Sequence, residues 1–252
     1  DFSGFDFDAE ASYQLKDKAF FSGGIHINSS SANYNHLLYQ SSYENYNWYN
    51  AEDYKNVKTS SIDFDMKSSK WLNASASFVN ITDYAYFALD TDGFVNSFQT
   101  GDNVSYLKVK VNKDVHFGKF GLDNSVAYQT VSSGGSYLNV PEVVTRNTVY
   151  YTDHWFKKSL FVQTGLRFNY FTKYAMNAYD PVLAEFYVQN EQQIGEFPLL
   201  DLFFNMKVRQ TRIFFIAEHV NSLVSPSNYY SAPGYPYRDF TLRFGLVWNF
   251  FL

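Results

Sequence analysis

Residues 160–170 read LFVQTGLRFNY, and this segment decides the fold class. Its even positions are apolar, aromatic or β-branched, whereas the odd positions from 163 onward hold Gln163, Gly165, Arg167 and Asn169. Successive side chains of a β-strand point to opposite faces of the sheet. The alternation therefore predicts a strand with one apolar and one polar face.

The same period of two recurs along the whole chain, for example over 200–208 and 240–252. An apolar face of five or more positions covers the ~25 Å apolar band of an outer-membrane barrel, at about 3.3 Å per residue and a tilt of about 40°. We predict about eleven strands, near residues 3–15, 19–30, 54–67, 71–81, 103–117, 119–131, 143–155, 159–171, 198–209, 212–220 and 239–251.

Short and long connections alternate between these strands. Tight turns are predicted near 16–18, 68–69, 118–119, 156–157 and 210–211, and long segments near 30–53, 81–102, 131–143, 171–197 and 221–237. Short periplasmic turns and long extracellular loops are typical of an antiparallel, up-and-down transmembrane β-barrel. A soluble β-sandwich also has alternating strands, but its connections show no such regular asymmetry. We therefore interpret residues 1–252 as one outer-membrane barrel domain.

The composition excludes several classes of function. A net charge of −5 provides no basic field for nucleic acid. The absence of cysteine removes thiol catalysis and thiolate metal sites. The five histidines, His26, His36, His116, His154 and His219, show no metal-binding spacing, and no serine lies in a nucleophile-elbow motif. We predict neither an enzyme nor a metal site, and no cofactor.

An odd strand count is unusual for a bacterial single-chain barrel, whose termini normally both lie on the periplasmic side. One interpretation is that the chain is the C-terminal part of a larger barrel and that at least one strand precedes it. The alternative is a miscount, in which the aromatic stretch from Tyr39 to Trp48 is itself a strand.

The C-terminal half contains segments that resemble a known family. They are LNVPEVVT (138–145), FVQTG (161–165), FTKY (171–174), DPVLAEFY (180–187) and YYSAPGYPYR (229–238), followed by TLRFGLVWNFF (241–251). In order and spacing they are similar to the putative porin family of Bacteroidota outer membranes, whose members are typically much longer than this chain. The resemblance implies an integral outer-membrane barrel in contact with lipid.

The same resemblance implies insertion by the barrel-assembly machinery through the last strand. An alternating aromatic C-terminal strand is the usual recognition feature, and Phe244, Trp248 and Phe250 supply it here. Leu252 stands where such proteins commonly end in an aromatic residue. Other outer-membrane proteins are further partners that the aromatic loops could contact.

The polar face of each strand would point into the barrel, so its charged residues are the candidates for lining a pore. These are Asp63, Asp65, Lys108, Lys110, Asp114, Arg167, Asp201, Lys207, Arg209, Arg212, Glu218 and Arg243. A mixed lining of acids and bases could orient small polar solutes by a transverse field. The last three strands carry four basic residues: Lys207, Arg209, Arg212 and Arg243. These side chains could form a row of unpaired cations along one wall, a basic ladder, or they could be paired in salt bridges that hold the wall together.

The aromatic residues of the first long loop have two interpretations. They could form the interfacial girdle of the barrel, or they could stack on sugars or contact a partner protein. They are Tyr34, Tyr39, Tyr43, Tyr46, Trp48 and Tyr49.

Two functions are possible for the whole domain: a passive diffusion channel for small hydrophilic solutes, or a filled barrel that serves as an accessory or scaffold subunit. A third, the barrel end of an energy-coupled transporter, would need an upstream plug domain.

Overall fold

The computed structural model describes residues 4–16, 18–224 and 229–250. Parts of five predictions lie outside these residues: the start of the first strand at 3, Asp17 in the first turn, residues 225–228 of the last long segment, the end of the last strand at 251, and Leu252.

The main element is one sheet of eleven strands in which every strand pairs antiparallel with its neighbours along the chain. This confirms the predicted number of strands and their antiparallel order. In chain order the strands are β1 (Phe5–Leu15), β2 (Ala19–Ser30), β3 (Val57–Lys67), β4 (Asn73–Thr82), β5 (Val104–Phe117), β6 (Phe120–Ser133), β7 (Val143–Trp155), β8 (Leu160–Phe171), β9 (Leu199–Val208), β10 (Thr211–Glu218) and β11 (Thr241–Trp248).

The two faces of the sheet differ in polarity because the period of two is kept in register from strand to strand. Leu166 on β8 pairs with Val149 on β7 and with Leu202 on β9, so apolar side chains meet on one face. On the other face Arg167 lies between Thr148 and Asp201. The apolar face is widely exposed; Ile62 is 62 % exposed and Phe244 78 %. Soluble proteins rarely expose apolar area on this scale.

All short turns lie at one edge of the sheet, here called the turn end, and all long connections lie at the other, the loop end. The turn between β5 and β6 is typical of the first group, since Gly118 has a φ of 61° that glycine adopts without steric cost. The predicted alternation of short and long connections is therefore confirmed.

The long connections contain short elements of their own. Where they are described, they form four small hairpins, a helical turn and a 3₁₀ turn: Leu38–Tyr39 with Trp48–Tyr49, Ala85–Leu89 with Val95–Gln99, Ala178–Asp180 with Glu185–Tyr187, Tyr230–Ala232 with Tyr235–Pro236, the α-helix Tyr34–Leu37 and the 3₁₀ helix Val220–Leu223. The alternative of a long strand from Tyr39 to Trp48 is wrong, because only two-residue strands form there and they lie outside the large sheet.

These connections pack on one another to form what we call the loop layer. Its core consists of Phe87, Val95 and Leu183, each no more than 5 % exposed. The hydroxyl of Tyr46 donates a hydrogen bond to Asp180 over 2.9 Å, which joins the connection after β2 to the connection after β8. Because these connections belong to distant strands, the contact requires a strongly curved sheet.

The sheet is open over the described residues. β1 pairs only with β2, and β11 pairs only with β10. Each outer strand therefore has one edge of backbone groups that no strand of the described chain pairs. No helix within the described residues is both long and apolar enough to cross a bilayer.

Candidate functional site on the concave face

The polar face of the sheet is its concave face. A cleft of about 370 Å³ runs across it from β5 to β10 and marks the inside of the curve. Its lining is almost entirely polar: Asn112, Asp114, Asp123, Asn124, Ser125, Arg146, Thr148, Tyr150, Gln163, Arg167, Phe203, Asn205 and Ile216. The apolar side chains of the same strands occupy the convex face, where they would meet lipid.

The charges on the concave face are divided between two sides. Strands β1 to β3 place mainly carboxylates on this face: Asp6, Asp8, Glu10, Asp63 and Asp65. Strands β7 to β11 place mainly cations there, with two carboxylates among them: Arg146, Arg167, Asp201, Lys207, Arg212, Glu218 and Arg243. Lys108, Lys110 and Asp114 on β5 lie between the two sides.

This arrangement brings together most of the predicted candidates. A solute that moves along the concave face would pass between an acidic and a basic wall, and this is the geometry that a transverse field requires. Whether these side chains line an open pore stays a prediction. Arg209 does not lie in the wall, because β9 ends at Val208 and Arg209 occupies the following turn with a φ of 51°.

Arg167 lies near the centre of the cleft. Its guanidinium carbon is 6.0 Å from the ring centroid of Phe203. Its Nε is buried and makes no hydrogen bond to the described part of the chain. Its cross-strand neighbour Asp201 accepts a hydrogen bond from the backbone N–H of His219 over 3.0 Å. Arg167 lines the cleft and forms no ion pair with a carboxylate of the described chain.

Near the loop end of the basic wall, one carboxylate pairs with two arginines. Glu218 Oε2 lies 3.1 Å from Arg238 and 3.0 Å from Arg243. Glu218 is nearly buried, whereas both arginine side chains are about half exposed. For Arg243 the salt-bridge alternative is therefore the correct one, and Arg243 is not part of a free basic ladder. Arg238 could not be expected from strand periodicity, because it belongs to the connection after β10.

The turn end of the basic wall has a different character. Lys207 and Arg212 are direct cross-strand partners on the concave face. Over the described residues neither has a carboxylate within ion-pair distance, since the ion pairs found there involve only other cations: His26, Lys119, Arg238 and Arg243.

The acidic wall contains a group that sequence spacing did not reveal. His26 Nδ1 lies 2.7 Å from Asp8 Oδ1 and 3.7 Å from Asp6 Oδ1. One potential metal-ligand atom of each of the three side chains lies within 4.8 Å of the others. Strand register could have indicated the group, since His26 pairs with Asp8 across β1 and β2. The other four histidines are not part of this group.

The loop aromatics divide into two sets. Tyr39, Tyr46 and Trp48 pack against the core of the loop layer, and the rings of Tyr39 and Trp48 stack with centroids 5.1 Å apart. An interfacial girdle is therefore the wrong interpretation for these three. Tyr34, Tyr43 and Tyr49 are the exposed set.

Two titratable groups in the loop layer are shifted by their surroundings. Burial, together with the hydrogen bond to Asp180, raises the pKa of Tyr46 to about 12. Burial lowers the pKa of His36, although the nearby Glu185 carboxylate opposes the change. The His36 ring stacks on Phe87 at a centroid distance of 4.1 Å. Both shifts favour the neutral form of the side chain.

The proposed assembly residues lie on the last strand or just beyond it. Phe244 and Trp248 are exposed on the convex face of β11, and Phe250 follows the strand. The rings of Trp248 and Phe250 stack with centroids 4.7 Å apart. This is an exposed apolar edge, and its part in assembly stays a prediction.

Comparison with known proteins adds the family and the fold neighbours. No curated protein matches the chain. Among solved structures, the copper transporter OprC has a TM-score of 0.62 at 16 % identity, covering 84 % of this chain and 32 % of its own. The ferric-catecholate import receptor Fiu from Escherichia coli K12 has a TM-score of 0.59 at 16 % identity, covering 95 % and 34 %. The siderophore receptor PirA from Acinetobacter baumannii has a TM-score of 0.58 at 11 % identity, covering 96 % and 40 %.

These likenesses concern the fold, and the chain spans only about a third of the length of the structures that it matches. The family model described as "Putative porin" matches residues 1–252. The chain therefore belongs to the Putative porin family and is a protein of the bacterial outer membrane.

Proposed function

We propose that this chain forms part of the wall of an outer-membrane channel that passes small hydrophilic solutes by passive diffusion. The observation that carries the proposal is the separation of the two sheet faces: a charged concave face opposite an exposed apolar convex face. In a membrane this separation solvates the inside and buries the outside in lipid.

The proposed channel is a closed barrel to which these strands contribute the C-terminal part. Backbone groups that lack partners in lipid cost several kcal/mol each, so the free edges of β1 and β11 need partners. Because each strand is antiparallel to the next, β1 and β11 run in the same direction. An all-antiparallel barrel would then need an odd number of further strands between them.

The channel is tested by single-channel conductance of the intact protein in a planar bilayer. Lys110→Gln removes a cation from the concave face, and Lys113→Gln removes one from the opposite face of the same strand. We expect the first to shift the reversal potential in a salt gradient and the second to leave it unchanged. Equal shifts in both variants would argue against the assigned pore lining.

The second candidate function is a closed or plugged barrel that acts as an accessory or scaffold subunit. The loop layer favours it, because the Tyr46–Asp180 contact joins connections of distant strands above the concave face. A correctly folded protein without conductance would support this function. If Tyr46→Ala then opened a conductance, the loop layer would be a cover that closes the channel. That outcome would favour the channel over the scaffold.

For assembly we propose that the last strand is read by the barrel-assembly machinery and that the convex face contacts outer-membrane lipid. Phe244→Ala combined with Trp248→Ala should lower the fraction inserted in outer membranes. Phe120→Ala combined with Phe215→Ala is the control, since it removes aromatics from the convex face of earlier strands. An equal loss in both variants would mean that general lipid contact, and not a terminal signal, limits insertion.

A further inference from the structure

We infer that the turn end of the basic wall is a binding site for a phosphoryl group, as inorganic phosphate or a phosphate monoester. The site is formed by Lys207 and Arg212 on the concave face, with Arg209 and Lys158 in the two adjoining turns. It goes beyond the proposed channel, because binding at this position does not depend on whether the barrel conducts.

The first argument is an uncompensated pair of like charges. Lys207 and Arg212 are directly opposite each other on neighbouring strands. Like charges in this relation destabilise a sheet. The acids of these two strands do not offset them: Asp201 is about 20 Å along the strand from Lys207 at about 3.3 Å per residue, and Glu218 already contacts two arginines.

The nearest acid on β7 is also unavailable. Asp153 pairs with Val162 in the register, which places it on the convex face, and its Oδ2 lies 2.6 Å from Lys119 Nζ. The charge of Lys207 and Arg212 is thus left for a ligand or for solvent to balance.

The second argument is the shape of the surface around this pair. A cleft of about 330 Å³ is lined by His154, Lys158, Ser159, Phe161, Lys207 and Arg209. A neighbouring cleft of about 450 Å³ shares Lys207 and Phe161, reaches Arg212, Gln163 and Asn205, and is otherwise lined by the apolar residues Met206, Ile213, Phe214 and Val247. Neither cleft is lined by an acidic residue. Lys207 therefore stands between two concave spaces that both present cations.

The third argument is the location of the turn cations, which line the same cleft as Lys207. Arg209 and Lys158 have positive φ values of 51° and 70°, so each occupies a left-handed turn position that non-glycine residues rarely adopt. The turns place their side chains beside the end of β9 rather than within the wall, where periodicity alone would have put Arg209.

The ligand class follows from the donors. An arginine guanidinium can bind two oxygens of one phosphate with paired N–H groups, and lysine ammonium groups add point charges. Lys158, Lys207 and Arg209 line one cleft, and Lys207 and Arg212 line the next; several cations so close together suit an anion with two charges and several oxygens better than a monocarboxylate. The phosphoryl group could belong to a soluble molecule or to a lipid headgroup, and the experiment distinguishes these sources.

The test is phosphate binding to the intact protein in detergent, measured by calorimetry with inorganic phosphate as the probe. We expect Lys207→Gln combined with Arg212→Gln to weaken binding at least about tenfold. Lys113→Gln, which removes a cation from the convex face of β5, should leave it unchanged. A second arm repeats the titration with short-chain phosphatidic acid in mixed micelles. Tighter binding of the lipid than of phosphate would identify a headgroup as the source.

A stability measurement keeps the inference testable if the double variant binds poorly for other reasons. Because the pair repels itself, Lys207→Gln alone should raise the unfolding temperature without phosphate. Phosphate should raise that temperature in the unaltered protein but not in the double variant. The inference is wrong if Lys207→Gln lowers the unfolding temperature, or if phosphate stabilises the unaltered protein and the double variant equally.

Discussion

The ring of Tyr150 on β7 lies directly over Gly121, its cross-strand partner on β6. A Cβ at position 121 would overlap the ring, so the absence of a side chain there creates the space that the tyrosine fills. The Tyr150 hydroxyl lies 3.0 Å from His116 Nε2 on the next strand. One glycine thus allows an aromatic side chain to connect three strands on the concave face.

We expect Gly121→Ala to destabilise the protein by about 1–3 kcal/mol, the usual cost of overpacking. The same change in a Tyr150→Ala background should cost much less, because the overlapping ring is gone. Urea unfolding in lipid vesicles for the four members of this double-mutant cycle measures the coupling. Equal costs in both backgrounds would show that the ring does not constrain position 121.

The carboxylate of Glu218 is predicted to stabilise the loop end of the basic wall. Glu218→Gln leaves Arg238 and Arg243 without their shared partner and should cost about 1 kcal/mol, a modest value because both arginines are half exposed. Exchanging the charges, with Glu218→Arg and Arg243→Glu together, should recover part of the stability that each of these two changes loses alone. A double variant less stable than either single change in the same unfolding assay would contradict this pairing.

Tyr46 should make the loop layer sensitive to alkaline pH. Its folded pKa, about 12, lies above the ordinary value of 10.0. The stabilisation from the neutral phenol is therefore complete below pH 10 and is lost as the pH rises through about 12. In an absorbance titration of tyrosinate, Tyr46→Phe should remove one phenol from the group that titrates late. Tyr43→Phe, which removes an exposed phenol of the same loop, is the control.

His36 should make the loop layer sensitive to acid. Its folded pKa lies below 6.5, so folding releases a proton in the range below that value. The stabilisation from the neutral His36 ring is therefore fully present above pH 6.5 and is lost as the pH drops through the folded pKa. Limited proteolysis of the loops should accelerate on acidification. His36→Phe, which lacks a titratable ring, should show a weaker pH dependence; an unchanged dependence would assign the effect to another group.

Local sequence patterns predicted the strands well because each strand carries its own evidence of period two. β7 runs from Val143 to Trp155, the bounds that alternation predicts. The odd count of strands and the positions of the turns followed from the same local rules. Arg209 shows where they fail, since one residue beyond the strand end the backbone turns and the alternation no longer describes the side chain.

The candidate site was predictable only as a set of residues on one face. Arg243 and Lys207 look alike in sequence, yet Arg243 is neutralised by Glu218 and Lys207 has no such partner in the described chain. The group of Asp6, Asp8 and His26 also depends on pairing between β1 and β2. Cross-strand register decides these contacts, and no local pattern contains it.

The sequence by itself determined the eleven strands, their two-faced character and the alternation of short and long connections, because these depend on neighbouring residues along the chain. Only the tertiary structure decided which charges meet, which loop aromatics are buried and how the connections form one layer. Tyr46 and Asp180 are distant in sequence and meet because the sheet curves. Curvature is a property of all the paired strands together and cannot be read from any one of them.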